Sequence, residues 1–187
     1  MIIRFSLALA LASIAGISSA HGRELITCDQ RTKENHDQPR SGSHLCVDDG
    51  YFSSSSLVDF GRKGILVTVF AHIGYYTSSS LSDIARTGQL LLIENKGYYA
   101  GDTLAETARS GGRIVIFSHL SYYSSSTLTE LARTGKLILI ADSDYYSSDT
   151  LLEIANAGGK ILIASDHYSN STLDALIARN ALVRTIY

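Results

Sequence analysis

Residues 122–144 read YYSSSTLTELARTGKLILIADSD, and this stretch decides the fold. Its order is an aromatic pair, a hydroxyl-rich stretch, a short amphipathic segment closed by glycine, and a continuous apolar run. Thr127 stands three residues before Glu130, the spacing at which a hydroxyl and a carboxylate cap a helix start reciprocally. Leu128, Leu131 and Ala132 follow at i, i+3 and i+4, which makes one apolar stripe on about two turns of helix. Gly135 accepts the left-handed conformation that ends such a helix. Leu137 to Ile140 then reads as a buried strand.

The same order recurs on both sides. Copies begin at Tyr51, Tyr75, Tyr98, Tyr122, Tyr145 and Tyr168, a period of roughly 23 residues, with a second aromatic following in all but the last. The hydroxyl-to-acid spacing returns as Ser56 with Asp59, Ser80 with Asp83, Thr103 with Glu106 and Thr150 with Glu153. Closing glycines stand at Gly64, Gly88, Gly111 and Gly158, and apolar runs follow at Ile65 to Phe70, Leu90 to Ile93, Ile114 to Phe117 and Ile161 to Ile163. A unit this small cannot bury its own apolar face, so neighbours must stack into one continuous core. With a helix between successive strands, the strands should pair in parallel through right-handed crossovers. The expected fold is therefore α/β, a short-repeat right-handed solenoid with a parallel β-sheet on one side and short helices on the other.

The alternation of one strand and one helix per coil from Tyr51 to Tyr187 resembles the leucine-rich-repeat class in architecture. The leucine and asparagine signature of that class is absent as such, with only Asn95 near the end of a strand run. The resemblance implies a two-layer architecture and no function.

The chain starts with Arg4, an apolar run from Phe5 to Ile17, and small residues at Ser18, Ser19 and Ala20, the pattern of a secretory signal peptide. The expected organisation is a signal peptide at 1–20, a disulfide-bearing N-terminal cap at 21–50, and a six-repeat solenoid at 51–187. Export to the periplasm or the medium makes a Cys28–Cys46 disulfide the expected state of the two cysteines. Closing that loop would contribute roughly 3 kcal/mol. Sixteen basic residues against 18 acidic ones give a net charge of −2 and no electrostatic footprint for nucleic acid. No run approaches the ~20 apolar residues of a membrane span. No cofactor is expected.

Both faces of the expected sheet are apolar. Val67, Val69, Leu90, Leu92, Ile114, Ile116, Leu137, Leu139 and Leu162 form the candidate partner-binding face, since an uncovered apolar area of that size marks a docking surface. The resulting expectation is a non-enzymatic, exported protein-interaction rod whose partner is another protein or a second copy of itself. A homodimer through the sheet face or the Ala181 to Tyr187 edge strand is the alternative. A third reading is a carbohydrate-binding module or enzyme using a rim of tyrosines with the Asp and His turns. That rim comprises Tyr75, Tyr76, Tyr98, Tyr99, Tyr122, Tyr123, Tyr145 and Tyr146. Asp142, Asp144, Asp166 and His167 form a weak candidate metal cluster. Arg62, Arg86, Arg109 and Arg133 each stand three residues after an acid and read as helix-surface ion pairs.

Overall fold

The computed structural model describes residues 44–47, 52–73, 76–94, 97–120, 123–163, 167–179 and 182–183. Seven strands lie among them: β1 (His44–Val47), β2 (Leu66–Phe70), β3 (Leu90–Glu94), β4 (Arg113–Phe117), β5 (Leu137–Ala141), β6 (Lys160–Ile163) and β7 (Leu182–Val183). Helices α1 (Ser54–Arg62), α2 (Ser78–Ala85), α3 (Gly101–Arg109), α4 (Ser125–Arg133), α5 (Ser148–Asn156) and α6 (Asn170–Ile177) separate β2 to β7 from the strands before them. The strands form one sheet in the order β1 to β7, and every pair is parallel. The protein is an α/β fold of parallel strands alternating with helices. β1 was not legible as a strand: its four residues are too short for a periodic pattern, yet they pair with β2 from His44 opposite Leu66 to Val47 opposite Val69.

The helices begin three residues earlier than the capping spacing predicts. The caps are Ser53, Thr77, Ser124, Ser147 and Ser169, all in extended backbone. Their hydroxyls accept the N–H of Ser56, Ser80, Thr127, Thr150 and Thr172 at 3.2–3.3 Å. Hydroxyls occur at both candidate positions, and the earlier one wins because it lets another turn of helix form. α3 departs from the rule, since Ala100 stands at its cap and makes no side-chain bond. The glycine stops fall where the sequence puts them. At Gly111, with φ +110, a Cβ would also come within 3.0 Å of the Ala85 carbonyl oxygen of the neighbouring coil.

Side-chain alternation along the strands builds two apolar layers. Leu57, Leu81, Ile84, Leu104, Leu128, Leu131, Leu151, Ile154 and Leu176 bring the helix stripes onto Val67, Val69, Leu90, Leu92, Ile114, Ile116, Leu137, Leu139, Ile161 and Ile163. Each fully buried leucine stabilises by about 1.5–3 kcal/mol, which two to three turns of isolated helix cannot supply. This corrects the candidate partner-binding face. Its members from Val67 to Leu139 are the core under the helices, because the helix stripes need an apolar row to close on. Leu162 belongs to the opposite row, since the register pairs it with Ile140.

The opposite row is Leu91, Ile93, Val115, Phe117, Ile138, Ile140 and Leu162, with Leu66 and Phe70 packed beside it. Its seven members are buried too, the most accessible being Phe117 at 8%. Neither apolar set is an open face.

Candidate functional site

In an all-parallel sheet every strand ends at the same rim, where the next helix begins, and open α/β sheets bind their ligands there. The rim of this protein is built on tyrosines. Tyr76, Tyr99, Tyr123 and Tyr146 are buried, and each hydroxyl donates to a backbone carbonyl one coil earlier. Tyr76 reaches Phe52 at 2.7 Å, Tyr99 reaches Tyr76 at 3.0 Å, Tyr123 reaches Tyr99 at 2.8 Å and Tyr146 reaches Tyr123 at 2.8 Å. Half-buried Tyr168 continues the spine to Tyr146 at 3.1 Å and Ser143 at 2.9 Å. Burial, reinforced by neighbouring Tyr98 and Tyr145 respectively, pushes the Tyr99 and Tyr146 hydroxyls up to about 12. Burial raises Tyr123 and Tyr168 as well.

The first rings of two pairs behave differently. Tyr98 and Tyr145 are 57% and 56% exposed, and each stands edge-on to its buried partner, with centroids 5.1 and 5.0 Å apart. The rim predicted from sequence thus divides into a structural column and a presented column. Tyr75 and Tyr122 lie outside the described residues.

Two polar features break the regularity. Glu94 ends β3 fully buried, and its two carboxylate oxygens accept the N–H of Tyr98 at 3.0 Å and of Tyr99 at 3.2 Å. Sequence reasoning missed it, although the signal was present. Other copies carry Ala71, Ser118 and Ala141 at the equivalent place, so an acid there is an exception that needs a partner.

The second feature joins β4 and β5. After β4 the chain makes a short 3₁₀ turn, Ser118–Leu120, and the imidazole of His119 meets Asp142 across the coil boundary, Nδ1 to Oδ2 at 2.5 Å. Asp142 Oδ1 also accepts the His119 N–H at 3.1 Å and the hydroxyl of buried Ser118 at 3.0 Å. Ser118 Oγ in turn accepts the N–H of Asp142 and Ser143, at 3.0 and 3.1 Å. A carboxylate only accepts, so Nδ1 is the donor and Nε2 is left as an acceptor. The His119 side chain is 53% exposed. A carboxylate-oriented imidazole with its second nitrogen outward is equipped to take or give a proton.

The weak metal cluster is not assembled this way. Asp142 serves Ser118 and His119, Asp144 and His167 are exposed, and Asp166 lies outside the described residues. Among the described residues no three His, Cys, Asp or Glu side chains gather as a metal site. Cys46 lies in β1 with its sulfur 3.8 Å from His44 Nε2, which also reaches Thr68 Oγ1 at 2.6 Å. Cys28 lies outside the described residues. Arg62 and Arg86 pair with Asp59 and Asp83 as the spacing predicts. Arg109 instead reaches Glu130 on the next coil, because Glu106 is engaged by the Ser78 hydroxyl at 2.7 Å.

By fold the chain belongs among α/β proteins with a parallel sheet and a polar rim at the strand carboxyl ends. No family model and no curated protein matches it. Among solved structures, it is similar to a candidate lyase/mutase from Burkholderia cenocepacia J2315, with 12% identity, 77% of this chain and 68% of that one covered, and a TM-score of 0.35. It is also similar to a candidate fructose-1,6-bisphosphate aldolase from Coccidioides immitis, with 10% identity, coverages of 75% and 71%, and a TM-score of 0.32. The expectation of a non-enzymatic interaction rod is corrected by the packing: both apolar faces on which it rested are buried. At these TM-scores neither activity carries over to this chain.

Proposed function

We propose that the strand-end rim binds a carbohydrate, with Tyr98 and Tyr145 as stacking platforms and His119 as the group that exchanges protons with the bound sugar. The observation that carries this reading is the His119–Asp142 pair, an imidazole anchored at Nδ1 and open at Nε2. A sugar offers an apolar ring face and an edge of hydroxyls. Exposed tyrosine rings held by a buried neighbour match the first. The imidazole and the hydroxyls and carboxylates of Ser143 and Asp144 match the second.

The rim belongs to an open stack in this reading, a right-handed solenoid in which β1 and β7 each have one strand neighbour among the described residues. The N-terminal twenty residues direct export, and Cys28 pairs with Cys46.

Titration calorimetry of the mature protein against soluble polysaccharides and their oligosaccharides tests the site. Binding is expected, with loss on combined Tyr98→Ala and Tyr145→Ala substitution while the circular dichroism spectrum is unchanged. Any turnover of a bound glycan should disappear in His119→Ala while binding persists. Absence of binding to every glycan tried would overturn the proposal.

A further inference from the structure

Several features recur two coils apart. The 3₁₀ turns Ala71–Ile73 and Ser118–Leu120 stand 47 residues apart, as do His72 and His119, and Tyr98 and Tyr145. The geometry repeats with the numbering. Phe70 and His72 have ring centroids 5.9 Å apart at 57°, and Phe117 and His119 have them 5.7 Å apart at 57°. Tyr98 and Tyr145 match in exposure and in the edge-on angle to their partners, 84° and 89°. The scaffold follows the same period: Thr87 and Thr134 hydroxyls bond the Ile84 and Leu131 carbonyls at 2.7 and 2.6 Å. Gly111 and Gly158, at φ 110 and 100, back onto the carbonyls of Ala85 and Ala132.

We infer that the rim carries two related subsites, one made by His72 and Tyr98 and the other by His119 and Tyr145, with Phe70 and Phe117 backing the imidazoles from the core, and that together they hold one linear polysaccharide. This rests on the carbohydrate reading above and adds the form of the ligand. Two strand spacings separate the subsites by about 10 Å, which is the step of one disaccharide along an extended glycan chain. A single sugar ring would need only one subsite. A polyproline peptide is the less favoured occupant, because its binding grooves are lined by several aromatic side chains, whereas each subsite here presents one exposed tyrosine and one imidazole.

The two subsites are not identical: Glu94 holds the Tyr98 loop where Ala141 precedes Tyr145, and the position beside the imidazole also differs. The residue 23 positions after His119 is Asp142, its hydrogen-bond partner, whereas the residue 23 positions after His72 is Asn95. In the His119 subsite the Asp142 carboxylate accepts from Nδ1 and orients the imidazole for proton transfer.

The test is a ladder of oligosaccharides with a disaccharide repeat, drawn from whichever polysaccharide the protein binds, measured by titration calorimetry on the full mature chain. Disaccharide should bind with two sites per chain. Tetrasaccharide should bind with one site and at least about tenfold more tightly, because the second contact becomes intramolecular. Tyr98→Ala alone should bring the tetrasaccharide down to disaccharide affinity and halve the disaccharide stoichiometry. Disaccharide binding at a single site with an affinity flat along the ladder would overturn the two-subsite inference while leaving the carbohydrate reading intact. No glycan binding, with or without capture of a polyproline peptide, would overturn both.

Discussion

The Tyr123 hydroxyl donates to the Tyr99 carbonyl at 2.8 Å, and the Tyr99 hydroxyl donates to the Tyr76 carbonyl at 3.0 Å. Each loop is thereby hydrogen-bonded by a ring from the coil that follows it. Tyr123→Phe keeps the ring and removes the donor, leaving a buried carbonyl short of its partner. The expected loss is about 1–3 kcal/mol, against less than about 0.5 kcal/mol for Tyr145→Phe at the exposed column. Urea titration of the two variants checks this. Equal midpoints would mean the spine contributes nothing.

The spine also sets the alkaline limit of the fold. Tyr99 and Tyr146 ionise at about 12 in the folded protein, whereas an unfolded tyrosine ionises near ~10. Between those values the unfolded chain has released protons that the folded chain retains, so stability falls as pH rises. The contribution is fully present below pH ~10 and is lost as pH rises through about 12. Urea midpoints should be flat up to the lower value and decline from there, accompanied by a burst of tyrosinate absorbance on unfolding. A profile flat through the upper value would contradict the burial of these hydroxyls.

α3 offers a gain rather than a loss. Ala100 occupies a cap position, with φ −63 and ψ 153, where five other helices place a serine or threonine in the same backbone conformation. Ala100→Ser should let the hydroxyl accept the Thr103 N–H and raise stability by about 1 kcal/mol. Thermal or urea unfolding measures it, and a neutral or destabilising result would mean that the α3 start is satisfied in another way.

These residues also show how far the sequence could be read. The strand runs, the glycine stops and the helix stripes were legible because each obeys a local period, the glycines and the runs after them recurring in five of the six copies. The cap position was misplaced because Ser53 and Ser56 carry the same hydroxyl, and the choice between them is made by the length of helix the core can use. The sheet faces were misassigned because both rows are equally apolar. Which row meets the helices follows from where the chain leaves the strand, information no single strand contains. Within the site, exposed Tyr98 and Tyr145 look identical in sequence to buried Tyr99 and Tyr146, and the partner of His119 lies a whole coil away at Asp142.

Glu94 gives the sharpest separation of packing from hydrogen bonding. Its carboxylate is fully buried and holds the N–H groups of Tyr98 and Tyr99, and so sets the loop that presents the Tyr98 ring. Alanine fills the equivalent place in two other copies, at Ala71 and Ala141, both fully buried. Glu94→Ala therefore introduces a residue the scaffold already accommodates, and its cost reports the lost polar contacts, to the Tyr98 and Tyr99 N–H groups and to the Tyr123 hydroxyl, about 3 kcal/mol or more in all. Glu94→Gln keeps one acceptor oxygen and should lose roughly half of that. Urea unfolding gives the two stabilities. If Glu94→Ala unfolds at the wild-type midpoint, the loop is held by the tyrosine spine alone; if it is destabilised as expected and also loses oligosaccharide affinity, the buried acid is what fixes the Tyr98 platform.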